Sequence, residues 1–300
     1  MSRSPGTGRP DALLPIRLVA LDIDGTLIGE DLVVGERTRA AVSATAAHGV
    51  AVALVTGRMA SSAVRFAHQL ALRGPIVAYQ GGLARCIPEP DSGRVGRMLW
   101  HRPVAAAVAR EAIAWSRERG LDPHVNHLER FILRADDPRA DDYSAFMGSR
   151  AELVPDLLAA IVHPVTKVLA VGEAPRPLEV LAEARAHFAG RADVTISHPR
   201  FLEFVAPGVS KGSAVRRLAR RLGVSLSQVL AIGDQFNDLE MLVAVGHGVA
   251  MPSAPPVVVE AARYVAPPLA HEGAATMIEA LVLAAPRAAA ANARRLAVAW

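Results

Sequence analysis

Short apolar runs alternate with amphipathic segments near the start of this 300-residue chain. The runs at 16–22, 50–55 and 75–79 are rich in Val, Ile, Leu and Ala and predict strands buried on both faces. The segments 36–48 and 59–72 between them predict helices. This strand–helix alternation predicts a parallel sheet with right-handed crossovers.

The pattern changes near residue 83 and returns near residue 206. The intervening stretch predicts a hairpin over 85–100 that turns at Asp91-Ser92-Gly93, followed by further short strands and helices. The strands are expected in 121–134, 165–171 and 194–205, and the helices near 104–119 and 177–188. This order indicates an α+β unit with a mostly antiparallel sheet. After residue 206 the predicted elements are helices at 211–222, from 237 and at 274–284, and strands at 228–232, 248–251 and 263–266.

We therefore predict an α/β fold in which one parallel-sheet domain is interrupted by an insert. The outer domain comprises residues 1–83 and 206–300, and the insert comprises 84–205. The insert is of ordinary size for a domain. The Ala- and Arg-rich segment 287–300 is expected to extend a helix and is assigned no role.

Composition excludes several classes of protein. Hydrophobic residues make up 51% and charged residues 21%, as in globular proteins, and no stretch approaches the ~18 apolar residues of a membrane span. The net charge of +4 is small, and the arginine run at 216–221 lacks an aromatic platform, so we expect no nucleic-acid partner. The single cysteine, Cys86, excludes an intrachain disulfide, and residues 1–10 lack the apolar core of a signal peptide. A cytoplasmic location is therefore expected.

Lysine is scarce in this chain. Of the 33 basic residues only Lys167 and Lys211 are lysine. Lys211 begins a predicted helix near the polar residues described next, whereas Lys167 is expected to be structural or exposed.

Polar side chains follow three strands of the predicted parallel sheet. Asp22 and Asp24 end the first strand, Thr56 the second and Asp234 a later one. Because the carboxyl ends of parallel strands lie along one edge of a sheet, these side chains should converge. Lys211 should join them from the start of its helix.

Asn237 and Asp238 add an amide and a fourth carboxylate to this group. Two carboxylates 4 Å apart repel by about 4 kcal/mol at an effective dielectric constant of 20. A divalent cation would relieve this repulsion, and oxygen ligands favour Mg²⁺. Such a site suits phosphoryl transfer, in which one carboxylate attacks phosphorus and a second moves protons.

Four motifs occur in this order in the chain. They are Asp22-Ile23-Asp24-Gly25-Thr26-Leu27, Thr56-Gly57-Arg58, Ser210-Lys211-Gly212 and Gly233-Asp234-Gln235-Phe236-Asn237-Asp238. In this arrangement the sequence resembles the haloacid dehalogenase superfamily, and more narrowly its Cof-like phosphatases. The resemblance implies a Rossmann-like core with an inserted α/β cap, and Mg²⁺-dependent hydrolysis of small phosphorylated metabolites.

The resemblance also implies roles for individual residues. Asp22 would be the nucleophile and Asp24 the general acid/base, and Mg²⁺ would be held by Asp22, the Asp24 main-chain carbonyl and Asp234. The phosphoryl group would be held by Thr56, Gly57 and Lys211, and Asn237 would contact the phosphate or metal-bound water. Two residues would have supporting roles, namely Asp238, which would orient Lys211 or the metal shell, and Arg58, which would bind substrate or hold its loop.

Two loops depart from the pattern of the relatives. Gln80-Gly81-Gly82 stands where they often have Asn-Gly-Ala, and Met251-Pro252-Ser253-Ala254 stands where they often have Met-Gly-Asn-Ala. Both loops should border the site. The departures would alter substrate contacts and leave the catalytic positions intact.

Other polar residues give weaker signals. An EF-hand calcium loop beginning at Asp22 is excluded, because Val33 occupies the position of the terminal glutamate that such a loop requires. His124 and His127 are three apart on a predicted strand and would face opposite sides, which disfavours a metal pair. His124, Asn126 and Arg130 are candidates for substrate contacts from the cap, with a solvated surface as the alternative.

The function that we predict is an Mg²⁺-dependent phosphatase of small phosphorylated metabolites, acting through an aspartyl-phosphate, as a monomer or homodimer. Sugar phosphates are the first candidate class, followed by phosphates of cofactor pathways. One alternative is a phosphotransferase or sugar-phosphate mutase. The other is a phosphometabolite-binding regulatory protein with weak catalysis.

Overall fold

The computed structural model describes residues 15–90, 92, 94–147 and 150–284. Two predictions fall outside this range, the helix over 287–300 and the turn residues Asp91 and Gly93. The described residues form two sheets, a core sheet and a cap sheet. No helix among them has the length and apolar character needed to cross a bilayer.

The core sheet has the strand order β14-β13-β12-β1-β2-β3-β4-β5. Its strands, numbered in chain order, are β1 (Leu18–Leu21), β2 (Ala51–Val55), β3 (Pro75–Ala78), β4 (Leu83–Cys86), β5 (Met98–His101), β12 (Val229–Gly233), β13 (His247–Ala250) and β14 (Tyr264–Val265). All neighbours from β14 to β3 pair in parallel, while β3–β4 and β4–β5 are antiparallel. The core helices are α1 (Glu36–Ala47), α2 (Ala60–Gln69), α8 (Lys211–Leu222), α9 (Leu239–Ala244), α10 (Pro256–Ala261) and α11 (Gly273–Ile278).

Helices cover both faces of the core sheet. Val19 and Leu21 of β1 belong to one buried cluster, which includes residues of α1, α2 and α11. Leu18 and Ala20 belong to a second, which includes residues of α8, α9 and α10. Because side chains alternate along a strand, an unbroken apolar run buries both faces, as the sequence predicted.

The cap sheet has the strand order β10-β11-β9-β6-β7-β8. Its strands are β6 (Asp122–His127), β7 (Arg130–Arg134), β8 (Glu152–Val154), β9 (Lys167–Val171), β10 (Asp193–His198) and β11 (Phe201–Val205). Its helices are α3 (Ala106–Glu118), α4 (Ala140–Met147), α5 (Leu157–Ala160), α6 (Arg176–Glu179) and α7 (Leu181–His187). Only β7–β8 pairs in parallel here, so the predicted α/β class with a mostly antiparallel second sheet is confirmed.

The two faces of the cap sheet have different partners. Val168 and Phe204 share a buried cluster with residues of α3, α5 and α7. On the opposite face, Phe131 and Leu169 share the cluster that contains Phe66 of the core. The cap therefore packs on the core through one face of its sheet, together with Tyr143 of α4, and carries α3, α5 and α7 on the opposite face.

Several boundaries differ from the prediction. The hairpin of β4 and β5 extends the core sheet, so a division at residue 83 cuts through β4, and the chain leaves that sheet only after His101. The predicted strand 194–205 is a hairpin that turns at Pro199-Arg200, because proline has no N–H to donate to a sheet ladder. The predicted helix 177–188 is two short helices, α6 and α7.

Candidate active site

The polar residues at the strand ends meet at one edge of the core sheet. Strand β1 lies between β12 and β2, with Leu21 in register with Ile232 and Leu54. The residues that follow these three strands are therefore neighbours although they are far apart in the chain. This juxtaposition follows the prediction from the strand order.

Lys211 is held at the centre of the site by two carboxylates. Its Nζ lies 2.6 Å from an Asp22 oxygen and 2.7 Å from Asp238 Oδ1, and its side chain is 1% exposed. Ser210 is the N-cap of α8, since its Oγ accepts a hydrogen bond from the Ser213 N–H, and it thereby fixes the start of the helix at Lys211. Burial lowers the pKa of Lys211, but the attraction of the two carboxylates outweighs this and the pKa is raised. Lys211 is thus a fixed positive charge.

Asp238 is a structural carboxylate. Its Oδ1 accepts from Lys211, and its Oδ2 accepts from the main-chain N–H groups of Asp234 and Gln235 at 3.1 and 3.0 Å. These bonds hold the loop after β12 and one side of Lys211. Asp238 thus contacts Lys211, and its carboxylate also lies close enough to those of Asp22 and Asp234 for the three to hold a metal ion, so both supporting roles stay predictions.

Asp22 and Asp234 have carboxyl groups whose negative charge the surrounding protein compensates only in part. Burial raises the pKa of Asp22 to about 7, against the attraction of Lys211. Burial, reinforced by repulsion from Asp22 and Asp238, raises the pKa of Asp234 to about 9. Space is tight here, since a Cβ on Gly25 would lie 2.2 Å from Asp234 Oδ2, and Gly25 has a φ of +71°. Two closely packed carboxyl groups with raised pKa values are suitable oxygen ligands for a hard divalent cation, because the cation would favour their ionised forms.

Asp24 differs from Asp22 in its surroundings. Its side chain is 47% exposed and forms a two-point ion pair with Arg58, with Nε–Oδ2 and Nη2–Oδ1 distances of 2.7 and 2.5 Å. His198 of the cap lies within the electrostatic influence of Asp24, which opposes the lowering of the His198 pKa by burial. The Asp24 side chain is thus partly exposed, whereas that of Asp22 is buried.

The Thr56-Gly57-Arg58 turn is anchored by hydrogen bonds. Thr56 is buried, and its Oγ1 accepts from the Arg58 N–H at 3.1 Å. The Thr56 carbonyl accepts from the Gln80 N–H at 3.1 Å. The side chain of Gln80 continues to Asn237, whose Nδ2 donates to Gln80 Oε1 at 2.9 Å. The second and fourth motifs are therefore linked through Gln80.

Lys167 and Glu203 join the site from the cap, and the sequence prediction missed both. Lys167 Nζ lies 2.7 Å from Glu203 Oε2 and donates to the Gly57 carbonyl at 3.0 Å. Their side chains are 3% and 2% exposed, so Lys167 is buried rather than on the surface. The scarcity of lysine was the one signal that pointed to this residue.

The three predicted cap contacts have separate environments. His124 is fully buried, with Nε2 3.6 and 3.4 Å from carboxylate oxygens of Asp122 and Asp137. Asn126 is also fully buried, in register with Lys167 of the neighbouring strand. Arg130 is exposed and forms an ion pair with Glu152 at 2.7 Å. This ion pair involves no residue of the candidate site.

A cavity of about 590 Å³ adjoins the site between core and cap. Its polar lining comes from both units and includes Gln80, Lys211 and Asn237 of the core and Arg185, Asp193 and Thr195 of the cap. Of the loops that depart from the pattern of the relatives, the one containing Gln80 borders this space. Pro252 and Ser253 are not part of its lining.

A parallel α/β core with carboxylates, a buried lysine and an amide at its strand ends, covered by an inserted cap, is the arrangement of a capped phosphohydrolase. Comparison with known proteins agrees. The family model of haloacid dehalogenase-like hydrolases matches residues 19–278. The chain belongs to this family, and it is a phosphatase of the Cof-like branch.

Individual relatives support the assignment. An HMP-PP phosphatase of Serratia proteamaculans is 32% identical over 244 residues, which cover 80% of this chain and 85% of the relative. A haloacid dehalogenase-like hydrolase from Bacteroides thetaiotaomicron has a solved structure that is 28% identical, with a TM-score of 0.74, covering 88% of this chain and 99% of that one. A sugar phosphatase of subclass IIB, 19% identical with a TM-score of 0.74 over 88% of this chain and 98% of its own, has the same fold.

Proposed function

We propose that this chain is an Mg²⁺-dependent phosphomonoester hydrolase that acts on small phosphorylated metabolites through an aspartyl-phosphate on Asp22. The observation that carries the proposal is the pairing of Asp22 with the buried Lys211, which Asp238 fixes from the other side. A permanent positive charge 2.6 Å from the attacking carboxylate would also bind the phosphoryl oxygens that approach it.

The metal would be held by the carboxylates of Asp22 and Asp234 and the main-chain carbonyl of Asp24. Bound there, Mg²⁺ would neutralise carboxylate charge and stabilise negative charge on the phosphoryl group. Asp238 is not needed as a ligand, because its oxygens already accept from Lys211 and two main-chain N–H groups.

The chemical steps follow from the different surroundings of the two aspartates. Asp22 attacks phosphorus, the bond from phosphorus to the leaving oxygen breaks, and Asp24 gives that oxygen a proton. Water then attacks the phosphorus of the aspartyl-phosphate and passes a proton to Asp24. The bond between phosphorus and the Asp22 oxygen breaks, so that phosphate is released and Asp22 is restored. The two-point ion pair with Arg58 fixes the orientation of the Asp24 carboxyl group for both proton transfers.

Sugar phosphates are the first substrate class to test. One solved protein of the same fold is named as a sugar phosphatase, and the curated relatives named HMP-PP phosphatase make cofactor-pathway phosphates the second class. The polar cavity between core and cap offers room for a leaving group of either kind. A screen of phosphorylated metabolites for phosphate release would decide between them.

Two variants test the mechanism. Asp22→Asn should abolish Mg²⁺-dependent hydrolysis of p-nitrophenyl phosphate while the protein stays folded, and Asp24→Asn should accumulate a species heavier by one phosphoryl group in intact-mass spectra. Asp142→Asn, at an exposed position of α4, is the matched control and should behave as wild type. Near-normal turnover by Asp22→Asn would contradict the assignment of the nucleophile.

The alternatives give different results. A mutase would need a bisphosphate activator and would release little inorganic phosphate. A binding protein without catalysis would not turn over p-nitrophenyl phosphate at any Mg²⁺ concentration.

A further inference from the structure

Gln80 has an unusual backbone beside the site. It lies in a 3₁₀ turn between β3 and β4, where Tyr79, Gln80 and Gly81 have φ values of 53°, 59° and 104°. Two consecutive non-glycine residues in the left-handed region are unfavourable, and such conformations concentrate at functional sites. This segment is held against the Thr56-Gly57-Arg58 turn, since the N–H groups of Gln80 and Tyr79 donate to the carbonyls of Thr56 and Arg58.

The side chain of Gln80 has one satisfied end and one unsatisfied end. It is 1% exposed, and its Oε1 accepts from Asn237 Nδ2 at 2.9 Å. Its Nε2 is buried without a hydrogen-bond partner. A buried donor without an acceptor is costly, so an acceptor is expected to occupy this place in the working enzyme.

The position of Nε2 identifies the acceptor. A Cβ built on Gly57 would lie 2.5 Å from it, so the amide rests on the Thr56-Gly57 turn, while its other end contacts Asn237. Both neighbours are predicted phosphoryl-binding segments. Glu203 Oε1 lies 3.5 Å from the same Cβ position, but Lys167 balances that carboxylate.

We propose that Gln80 Nε2 donates a hydrogen bond to the phosphoryl group of the bound substrate, which makes Gln80 a further phosphoryl-binding residue. This inference rests on the proposed phosphatase function. The carbonyl end of the amide holds Asn237 in place, and the amino end contacts the anion. The substitution of Gln for the Asn common among relatives lengthens the amide by one methylene, which lets it span from Gly57 to Asn237.

Gln80→Glu separates the two ends of the side chain. It keeps the length and the oxygen that accepts from Asn237, and it replaces the amino donor by a second oxygen. We expect kcat/KM to fall about 100-fold for p-nitrophenyl phosphate and hexose phosphates alike, and orthovanadate inhibition to weaken in parallel, because a donor to the transferring group is lost. Gln69→Glu, at an exposed position of α2, is the control and should match wild type.

A purely structural role gives a different outcome. If Gln80 only holds Asn237, Gln80→Glu retains wild-type kcat/KM and orthovanadate inhibition, and the proposal is wrong. A loss confined to some substrates would place the contact on the leaving group and would also overturn it. Should Gln80→Glu fail to fold, Gln80→Asn in an Asn237→Ala background decides, because asparagine tolerates the left-handed backbone and the contact with Asn237 is already absent. A further loss of about 10-fold in kcat/KM for every substrate would support the contact with the phosphoryl group, and no further loss would overturn it.

Failure of the phosphatase function is a separate result. If the wild type hydrolyses no phosphate ester, the proposed function fails, whereas calorimetric binding of orthovanadate to wild type and Gln80→Glu still tests the contact. Equal affinities would refute it, and weaker binding by the variant would support it.

Discussion

Replacement of Lys167 by methionine tests the ion pair that the cap presents to the site. The side chains of Lys167 and Glu203 are 3% and 2% exposed, and Lys167 Nζ contacts both Glu203 Oε2 and the Gly57 carbonyl. Methionine has a similar length but carries neither charge nor donor. In Lys167→Met the Glu203 carboxylate stays buried, with the Ser197 hydroxyl as a remaining partner.

The expected cost follows from the unpaired charge. Removal of one partner of a buried ion pair destabilises proteins by about 3–5 kcal/mol, because the remaining charge loses its compensation. Adding Glu203→Gln removes that charge, so the double variant should recover roughly 2 kcal/mol or more relative to Lys167→Met alone. Arg130→Met, which breaks the exposed pair with Glu152 in the same sheet, should cost less than about 1 kcal/mol.

Urea denaturation followed by circular dichroism measures these differences in the free energy of unfolding. A cost below about 1 kcal/mol for Lys167→Met, or no recovery in the double variant, would refute the assigned pair.

Three further variants test other parts of the structure. Gly25→Ala should raise the Mg²⁺ concentration needed for half-maximal activity, because its Cβ would lie 2.2 Å from Asp234 Oδ2; unchanged Mg²⁺ dependence would contradict the crowding. The neighbouring His124 imidazole lowers the pKa of Asp137 to about 2, so this carboxylate stabilises the fold above pH ~4 and loses its effect as the pH falls towards 2. The stability advantage of wild type over Asp137→Asn, about 2 kcal/mol at pH 5, should therefore shrink by about 1 kcal/mol at pH 3 in urea titrations. Ser210→Ala removes the N-cap of α8 and should cost about 1 kcal/mol in thermal unfolding, whereas no change would mean that the cap is dispensable.

The parts of the fold that follow from local pattern were predictable. Strands β1, β2 and β12 are unbroken apolar runs that end in polar residues, and a parallel sheet brings such ends together whatever lies between them. Helix α8 was equally clear, since it begins after Ser210 and ends before Gly223, which has a φ of +62°.

Other features depended on contacts that no local pattern encodes. The hairpin of β4 and β5 resembles the strands of the insert in sequence, and only its pairing with β3 assigns it to the core sheet. Helices α4, α5 and α10 and strand β8 are short, with little periodicity, and were not predicted. Lys167 contacts Gly57 across 110 positions, so its burial depends on how the cap packs on the core.

The contacts between cap and core explain why the reaction was predictable and the substrate was not. The cap reaches the core at the edges of the site: Lys167 donates to the Gly57 carbonyl, and the Tyr79 hydroxyl donates to the Leu128 carbonyl. The pair of Asp22 and Lys211, by contrast, is held entirely by core elements. Changes in the cap can therefore reshape the cavity between core and cap without disturbing the pair of Asp22 and Lys211. Because the two sets of contacts are separate, the core motifs suffice to predict a phosphatase, whereas a prediction of the substrate would require the positions of cap residues, which depend on how the cap packs on the core.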